Sequence, residues 1–428
     1  MEPKKKKKRI KFWIPVLALL LGAGAAAYAY AATAVRVCQP PAVGFAGHTT
    51  VPVRSTFTEP VLGGLLEKRI VEESPYPVTD LGILSDKRLD LEVGESPSAE
   101  WVIRLNGEEV FRGTPADYEG FAFSENGTYD ATLLIALPAG EDRSEAEFSY
   151  EFAFELDVQP KVLFSSDRAI QGDILSVYVN LGFETVLPTI ETDLGHAIFL
   201  PLSEEESIAY VPVNYAQEPG KWEIRVRWDN RIHTQHVIVT RRTYGKQYMT
   251  ISQETADATM NNPEGPANWA ERIKVLWETY DEKKYWTETF LQPCEGPIST
   301  AFGLYRYTND NPVPSRHTGI DIAVPTGTPV LASNSGRVVR AEEIIYTGNT
   351  VVIEHGGGLK TYYYHMDSIE VKEGQIVERG ALIGTVGSTG YSTGAHLHFE
   401  VKMGRSSLSP WELFDGSSEV YFTGSGLN

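Results

Sequence analysis

The chain has few cysteines and few basic residues for its number of acidic ones. Two cysteines in 428 residues, Cys38 and Cys294, allow at most one disulfide bond within the chain, which excludes a fold held together by a disulfide framework. Either the two pair outside the cell or both stay unpaired. The formal net charge of −19 argues against nucleic-acid binding and is ordinary for a soluble secreted domain.

Charge is also absent from one long stretch near the N-terminus, from Phe12 to Val35. Its 24 residues suffice to cross a bilayer whose hydrocarbon core is about 30 Å thick. Basic residues fill the segment from Lys4 to Lys11, and the positive-inside rule then predicts a cytoplasmic N-terminus with the rest of the chain outside. The alternative is a cleaved secretory signal, because Ala29-Tyr30-Ala31 has the small-x-small form of a cleavage site.

The middle of the chain is predicted to be mainly β structure. Residues 36–87 are rich in Pro, Gly and Thr with weak periodicity, which indicates a juxtamembrane stalk. Beyond them, Asn106-Gly107 and Asn126-Gly127 are hairpin-turn signals between alternating segments, so residues 88–159 are predicted to form a β-sandwich-like module. A second β module is expected over residues 160–245.

No catalytic group of residues stands out in these modules. His233 and His236 lie near a turn and are interpreted as exposed polar residues. Further on, apolar residues recur at helical spacing and predict an amphipathic helix over residues 266–280. We interpret this helix as a brace between the upstream module and the C-terminal domain; an autoinhibitory segment over a binding groove is the alternative.

Histidines are scarce, but they cluster: five of the nine lie within about eighty residues of the C-terminal region. The segments are His317-Thr318-Gly319-Ile320-Asp321, Tyr363-Tyr364-His365 and His396-Leu397-His398. A catalytic zinc site needs three nitrogen or oxygen ligands and an open fourth position. The segments supply enough donors for such a site, with imidazoles left over for proton transfer.

The local sequence patterns predict the secondary structure around these residues and the direction of their side chains. Gly319 and the alternation of Ile320, Ile322 and Val324 predict a loop leading into a strand, with Asp321 facing away from its apolar neighbours. In residues 395–401 the period is two, so His396, His398 and Glu400 share one face of a strand. One of the paired imidazoles could bind metal while the other handles protons.

These segments resemble the lysostaphin/LytM-type peptidoglycan metalloendopeptidases in motif order, spacing and intervening turns, over roughly residues 290–415. The motifs that carry the resemblance are Ile298–Gly303, Arg316–Asp321, Gly336–Val338, Gly348–His355, Tyr363–Met366 and Gly394–Glu400. The resemblance implies a small, mostly antiparallel β domain whose groove holds one zinc ion. The upstream modules look like the immunoglobulin-like modules of membrane-anchored relatives.

Carried over by motif, the resemblance implies that His317, Asp321 and His398 ligate zinc and that His365 and His396 are the catalytic pair. Zinc would activate a water and polarise the scissile carbonyl, and one of the two imidazoles would accept the proton. Which of them does so stays open. His355 is interpreted as structural, and Glu400 as a residue near the site that does not bind metal. Residues 305–307 are further candidates for the groove wall.

The fold class predicted is therefore mainly β, with a transmembrane helix, one or two β-sandwich modules, a helical brace and a C-terminal metallopeptidase domain. The expected function is a membrane-anchored zinc endopeptidase acting on peptidoglycan stem peptides or cross-bridges, with a regulatory partner bound through the β modules. The alternative is a non-catalytic wall-binding scaffold that activates another hydrolase. The predicted segments are 1–35 (basic tail and anchor), 36–87 (stalk), 88–159 and 160–245 (β modules), 246–289 (helical linker), 290–415 (metalloendopeptidase domain) and 416–428 (tail).

Overall fold

A computed structural model describes residues 7–76, 78–94, 98–228 and 231–424. Lys4 to Lys6 of the predicted basic segment and the last four residues of the predicted tail lie outside the described residues. The chain separates into two compact units, residues 1–159 and 160–428. Strands dominate both, which confirms the predicted fold class.

The N-terminal helix α1 spans Lys7–Ala32 and belongs to unit 1. Its apolar part, Trp13–Ala32, is long and apolar enough to cross a membrane, a property that signal sequences share. At 1.5 Å per residue these 20 residues extend about 30 Å, the thickness of a bilayer core.

Unit 1 is built around one large antiparallel sheet in the order β4-β3-β10-β9-β7-β8, with β5 beside β10, and a small sheet in the order β2-β1-β6. Phe45 of the small sheet packs edge-on against Trp101 and Phe152 of the large one. The helix α2 spans Pro115–Tyr118. The described strands are β1 (Val43–Phe45), β2 (His48–Thr50), β3 (Arg54–Val61), β4 (Leu66–Glu73), β5 (Thr79–Leu84), β6 (Leu91–Val93), β7 (Ser98–Leu105), β8 (Glu108–Gly113), β9 (Gly127–Leu137) and β10 (Glu145–Leu156).

Residues 36–87 form strands instead of the predicted stalk. Residues 36–87 contribute β1 to β5, and β3, β4 and β5 belong to the large sheet. Gly47, Gly63 and Gly64 lie in turns, whereas Phe45, Phe57 and Leu81 are buried in the core. Threonine-rich segments also favour strands, because β-branched side chains fit a pleated surface. The Asn106-Gly107 turn is confirmed, with both residues at positive φ between β7 and β8.

The first part of unit 2 is a sandwich of two four-stranded sheets, in the orders β11-β13-β16-β15 and β12-β18-β17-β14. Buried residues from both sheets, such as Val177 and Val226, form its core. The two-sheet architecture matches the predicted β module; its immunoglobulin-like character stays a prediction. The strands are β11 (Lys161–Phe164), β12 (Arg168–Ile170), β13 (Ile174–Asn180), β14 (Thr189–Thr192), β15 (Phe199–Pro201), β16 (Glu206–Pro212), β17 (Gly220–Trp228) and β18 (Arg231–Thr240).

The predicted helical linker contains more than one helix. It begins with a strand, β19 (Lys246–Met249), followed by α3 (Gln253–Ala258), α4 (Gly265–Arg272) and a 3₁₀ helix (Lys274–Glu278). The single helix predicted over residues 266–280 therefore breaks at Ile273. Ile273 and Leu276 pack against Tyr362 and Tyr364, so the apolar stripe is a packing surface.

The C-terminal part of unit 2 is built around one large sheet with the order β20-β23-β30-β27-β26-β25-β28; β29 joins β24 and β27, and β31 pairs with β30. Its core continues into the sandwich, because Leu200 and Tyr210 belong to the same buried cluster as Trp286 and Phe399. The helix α5 spans Trp411–Asp415 and is followed by a 3₁₀ helix, Glu419–Tyr421. The strands are β20 (Ile298–Thr300), β21 (Tyr305–Thr308), β22 (Ser315–Arg316), β23 (Ile320–Ile322), β24 (Pro329–Leu331), β25 (Gly336–Ile344), β26 (Gly348–Gly356), β27 (Leu359–Ile369), β28 (Ile376–Val377), β29 (Leu382–Val386), β30 (Leu397–Met403) and β31 (Ser406–Leu408).

Candidate metal centre

Three side chains from separate segments converge beside the central strands of this sheet. Asp321 lies in β23, directly opposite His398 of β30, and His317 follows β22 by one residue. His317 Nε2 is 2.9 Å from Asp321 Oδ1 and 3.0 Å from His398 Nδ1, and His398 Nδ1 is 2.8 Å from Asp321 Oδ1. All three residues are buried. The predicted loop-then-strand path of residues 317–324 is confirmed, and it delivers the carboxylate to the histidine pair.

The chemistry of this donor set fits a metal ion. The Ala301 carbonyl, an acceptor only, lies 3.0 Å from His317 Nδ1, so this nitrogen carries the proton. In the neutral imidazole Nε2 then directs a lone pair at a carboxylate oxygen and a second ring nitrogen. Tetrahedral zinc with ligand distances near 2.0–2.1 Å holds its donors about 3.3 Å apart, close to the separations found here. Two imidazole nitrogens and one carboxylate oxygen leave a fourth position open.

Electrostatics keep the carboxylate ionised. Burial alone would raise the pKa of Asp321, but its electrostatic interactions and hydrogen bonds with His317 and His398 outweigh burial and hold the pKa well below its ordinary value. Arg306 Nη2 also donates to Asp321 Oδ2 at 3.0 Å. One carboxylate oxygen therefore faces the donor cluster while the other is held by a guanidinium.

His365 and His396 lie at the edge of the cluster, with ring centroids 4.8 Å apart. His365 Nδ1 donates to the Thr389 carbonyl at 2.8 Å, and His396 Nδ1 donates to the Gly394 carbonyl at 2.8 Å. Each neutral ring therefore keeps Nε2 as an acceptor. His396 Nε2 is 3.8 Å from Asp321 Oδ1. Burial, with the neighbouring His396 and His398, lowers the pKa of His365 to about 3, so this imidazole is neutral at neutral pH.

The backbone of His365 is held in an uncommon conformation, with φ at 62°. Its N–H donates to the Thr347 carbonyl at 2.8 Å, so both the backbone and the ring of this residue are fixed. Left-handed backbone at a non-glycine residue is strained and persists where its surroundings enforce it, often at functional sites. The conformation turns the imidazole from the end of the aromatic run towards His396.

Two open cavities flank the five side chains. One, of about 300 Å³, is lined by His365 and His396 together with Gln247 and Met249 of β19. The other, of about 390 Å³, is lined by His317 and His398 and by the linker residues Met260, Trp269 and Trp277. The linker thus walls the groove on both sides of the site. A larger cavity of about 770 Å³ lies in the sandwich around Trp222, and none of the five side chains lines it.

Arg306 is the site residue that sequence reasoning left unranked. Its Nε donates to Gln247 Oε1 at 2.9 Å, and Gln247 Nε2 donates to Thr300 Oγ1 at 3.1 Å. The parallel pairing of β19 with β21 places Gln247 beside Arg306. Gln247 was not predicted at all, because no local pattern reveals a strand pair that spans about sixty residues of chain.

Loss of Arg306 is expected to weaken the metal site without removing a ligand. In Arg306→Ala the Oδ2 atom of Asp321 loses its guanidinium partner, and zinc affinity should fall by about 10- to 100-fold, the usual effect of losing a residue that orients a metal ligand. Competition with a chelating dye measures this affinity. Arg405→Ala, which removes an exposed arginine paired with Glu278, is the matched control, and equal affinity in the two variants would contradict the role.

Two residues near the cluster have structural partners instead. Glu400 accepts hydrogen bonds from Lys402 Nζ at 2.9 Å and Ser407 Oγ at 3.1 Å, so this carboxylate is engaged away from the donor cluster. His355 is fully enclosed: Nδ1 donates to the Ser335 carbonyl at 2.7 Å and Nε2 bonds the Thr361 hydroxyl at 2.8 Å. These contacts agree with the structural interpretation of His355.

His355 is expected to make the fold sensitive to acid. Burial lowers its pKa from 6.5 to about 4. As the pH falls from 6.5 to 4, the unfolded chain binds a proton that the folded chain excludes, and the free energy of unfolding falls by up to about 3 kcal/mol. His355→Gln lacks the titrating imidazole and so does not lose this free energy of unfolding at low pH. The difference in unfolding temperature between wild type and variant should therefore narrow as the pH falls.

Thermal unfolding followed by tryptophan fluorescence between pH 7 and pH 4 tests this expectation. His236→Gln, at an exposed site of the sandwich strand β18, is the control and should keep a constant gap. A constant gap for His355→Gln would show that the buried imidazole does not titrate differently in the two states. Both cysteines are free, so no disulfide complicates the transition.

Comparison with known proteins agrees with the geometry. Residues 315–410 match peptidase family M23. The chain is 49% identical over 85 residues to the peptidoglycan DD-endopeptidase ShyB of Vibrio cholerae, covering 20% of each chain. It is 45% identical over 94 residues to the DD-carboxypeptidase/endopeptidase Mpg of Neisseria meningitidis, covering 22% of each. The match thus spans about a fifth of the length of these curated relatives.

Among solved structures, a putative peptidase M23 from Pseudomonas aeruginosa aligns with a TM-score of 0.44 at 26% identity, covering 58% of this chain and 95% of that one. The matched residues 315–410 contain all five side chains of the site, His317, Asp321, His365, His396 and His398. The chain therefore carries, over residues 315–410, a domain of peptidase family M23.

Proposed function

We propose that this protein is a membrane-anchored zinc endopeptidase that hydrolyses peptide bonds in the stem peptides or cross-bridges of peptidoglycan. One observation carries the proposal: His317 Nε2, Asp321 Oδ1 and His398 Nδ1 converge within 3.0 Å of one another, and two further imidazoles stand at the edge of this cluster. Three donors with an open fourth position are the arrangement of a catalytic zinc site.

His317, Asp321 and His398 would hold the ion, which when bound supplies a Lewis acid that polarises a carbonyl and activates water. Contacts with neighbouring groups orient this donor set. The Ala301 carbonyl sets the tautomer of His317, and Arg306 orients Asp321. Such outer partners hold ligands in place and make them better donors.

His365 and His396 would move the protons. Each ring is oriented by a backbone carbonyl on Nδ1, which leaves Nε2 to accept a proton from the attacking water. Once protonated, the same Nε2 can donate to the developing oxyanion or to the leaving amine. Positioned general acid–base catalysis of this kind contributes about 10²- to 10⁴-fold. We assign the pair jointly and leave the division of labour between the rings to kinetics.

The substrate class follows from the family and from the groove. The relative ShyB is named a peptidoglycan DD-endopeptidase, and the relative Mpg is named a DD-carboxypeptidase/endopeptidase. The cavities on the two sides of the site open to the surface and combine polar side chains with the aromatic residues Trp269 and Tyr364. An extended peptide running past the site would contact both cavities.

The location would be the outer face of a membrane. Helix α1 supplies the span, and the basic segment that precedes it would keep the N-terminus cytoplasmic. The acidic remainder suits an extracytoplasmic domain, and the β modules offer surfaces for a regulatory partner. Cleavage after Ala31 would instead release the same enzyme from the membrane.

The test is a digest of purified muropeptides by the full-length protein in detergent. We expect about one zinc per chain by elemental analysis, loss of cleavage after chelation, and recovery on adding zinc. A bound-zinc protein that leaves every muropeptide intact would point to the scaffold function, and a protein without zinc would overturn the proposed centre. Mass spectrometry of the products identifies the bond.

A further inference from the structure

The turn between β3 and β4 exposes an apolar tip, residues 61–66, with the sequence Val-Leu-Gly-Gly-Leu-Leu. Leu62, Leu65 and Leu66 are 42%, 83% and 42% exposed. Leu62 adopts a left-handed φ of 53° to turn the chain, a conformation that leucine rarely takes. Turns at the surface usually carry polar residues. Exposing three leucine side chains to water is unfavourable because of the hydrophobic effect.

This tip lies beside the end of the membrane-spanning helix. Helix α1 contacts β4, and Lys68 Nζ donates to the backbone carbonyls of Thr33 at 2.6 Å and Ala31 at 3.4 Å. Lysine at a helix C-terminus satisfies carbonyls that have no partner within the helix. The end of α1 is therefore fastened to the hairpin two residues from Leu66.

The path of the chain after α1 shows which way the hairpin points. Arg36 forms an ion pair with Glu59, with 3.1 Å between Nη2 and Oε1. Glu59 lies opposite Lys68 in the hairpin. The next residues, Val37 to Pro40, line a cleft with Ser55 and Phe57, farther from the tip. The chain thus runs from the end of α1 towards the base of the hairpin, and residues 31–33, bonded to Lys68, lie nearer the tip than residues 37–40 do.

The depth of the tip can be measured along the strand. Tyr28 and Tyr30 are exposed near the end of α1, where aromatic residues mark the interface of a membrane. Leu65 is three residues beyond Lys68 towards the tip, about 10 Å at the rise of a β-strand, and Lys68 bonds the end of α1. Apolar groups that bind membrane interfaces lie about 5–10 Å deep, so the geometry brings Leu65 into this layer.

We propose that the apolar tip of residues 61–66 inserts into the outer interface of the bilayer that α1 crosses. Unit 1 then has two contacts with the membrane, the helix and the tip, which prevents it from rotating freely about the end of α1. The occupant is the lipid layer around the anchor, because the end of the apolar span is bonded to Lys68, two residues from Leu66. The inference rests on the membrane anchor in the proposed function.

Site-directed fluorescence on the full-length protein in lipid nanodiscs tests the proposal. Cys38→Ser removes the accessible native thiol, while Cys294 is buried. A polarity-sensitive label is attached in separate proteins at Leu65→Cys, at Leu134→Cys on an exposed face of β9, and at Leu20→Cys within α1. Nanodiscs contain either spin-labelled acyl chains, which quench at depth, or unlabelled lipid with aqueous iodide.

The label at residue 65 is expected to emit at shorter wavelength than the label at residue 134, to be quenched by the acyl-chain spin label, and to resist iodide. A label at residue 65 that behaves like residue 134 while residue 20 is quenched overturns the proposal and leaves the anchor intact. If residue 20 is not quenched, the anchor and the proposal both fail. Resistance to iodide without acyl-chain quenching would indicate a protein covering the tip and would also overturn it.

Discussion

The variant His398→Ala is expected to contain no stoichiometric zinc and to cleave muropeptides at least about a thousandfold more slowly, because it loses a metal ligand and with it the several kcal/mol that a Lewis acid contributes to the transition state. His398 is one of the three donors of the cluster, with Nδ1 within 3.0 Å of both other donors. The two remaining ligands are fewer than the three that a catalytic zinc site needs. Elemental analysis and the initial rate of digestion measure the two losses on the same sample.

His236→Ala is the matched control, since this histidine lies at an exposed position of the sandwich strand β18, with its ring 3.6 Å from Glu223. It should keep both zinc and activity. The circular-dichroism spectrum of His398→Ala should match that of the wild type, because β30 keeps its pairing with β23 and β27. Full zinc occupancy in His398→Ala would show that the ion sits elsewhere.

Replacing either imidazole at the edge of the cluster is expected to lower turnover while zinc stays bound, unlike the loss of both in His398→Ala. His396→Ala and His365→Asn should lower kcat by about 10²- to 10⁴-fold, the usual contribution of a positioned proton-transfer group. Asparagine is chosen at residue 365 because it tolerates the left-handed backbone of φ 62° better than alanine does. Steady-state digestion of a muropeptide and zinc titration of the same preparation separate the two effects.

The two variants differ in what they disturb, which makes their comparison informative. His365 is buried and its N–H bonds the Thr347 carbonyl, whereas His396 is partly exposed and follows a glycine-rich loop. Equal losses in both would indicate that the rings act as one unit in the transition state. Zinc loss in either variant, or wild-type turnover in both, would refute their assignment as the catalytic pair.

Much of the site could be anticipated because its parts are local. The period of two in residues 395–401 predicts a strand, and β30 begins at Leu397 with His398 facing the donor cluster. The alternation after Gly319 likewise predicts β23 and the direction of Asp321. Strand periodicity depends only on the geometry of neighbouring residues, so short stretches of sequence suffice to reveal it.

Other features depend on contacts between distant parts of the chain. The stalk prediction failed because the strands of residues 36–87 are completed by β10, which lies far along the sequence. The single helix predicted over residues 266–280 breaks where Ile273 and Leu276 pack on Tyr362. Gln247 joins the site only through the pairing of β19 with β21. No local sequence pattern in either segment predicts these contacts.

The sequence by itself determined the mainly β fold class, the apolar span, and the residue types and strand faces of a metal site, because composition, hydrophobic period and motif spacing are local properties. The tertiary structure decided the rest. It brought His317, Asp321 and His398 to within 3.0 Å across 81 residues of chain, and it placed Arg306 on the free oxygen of the carboxylate. Such convergence arises from strand order and burial, which only the packed sheet defines.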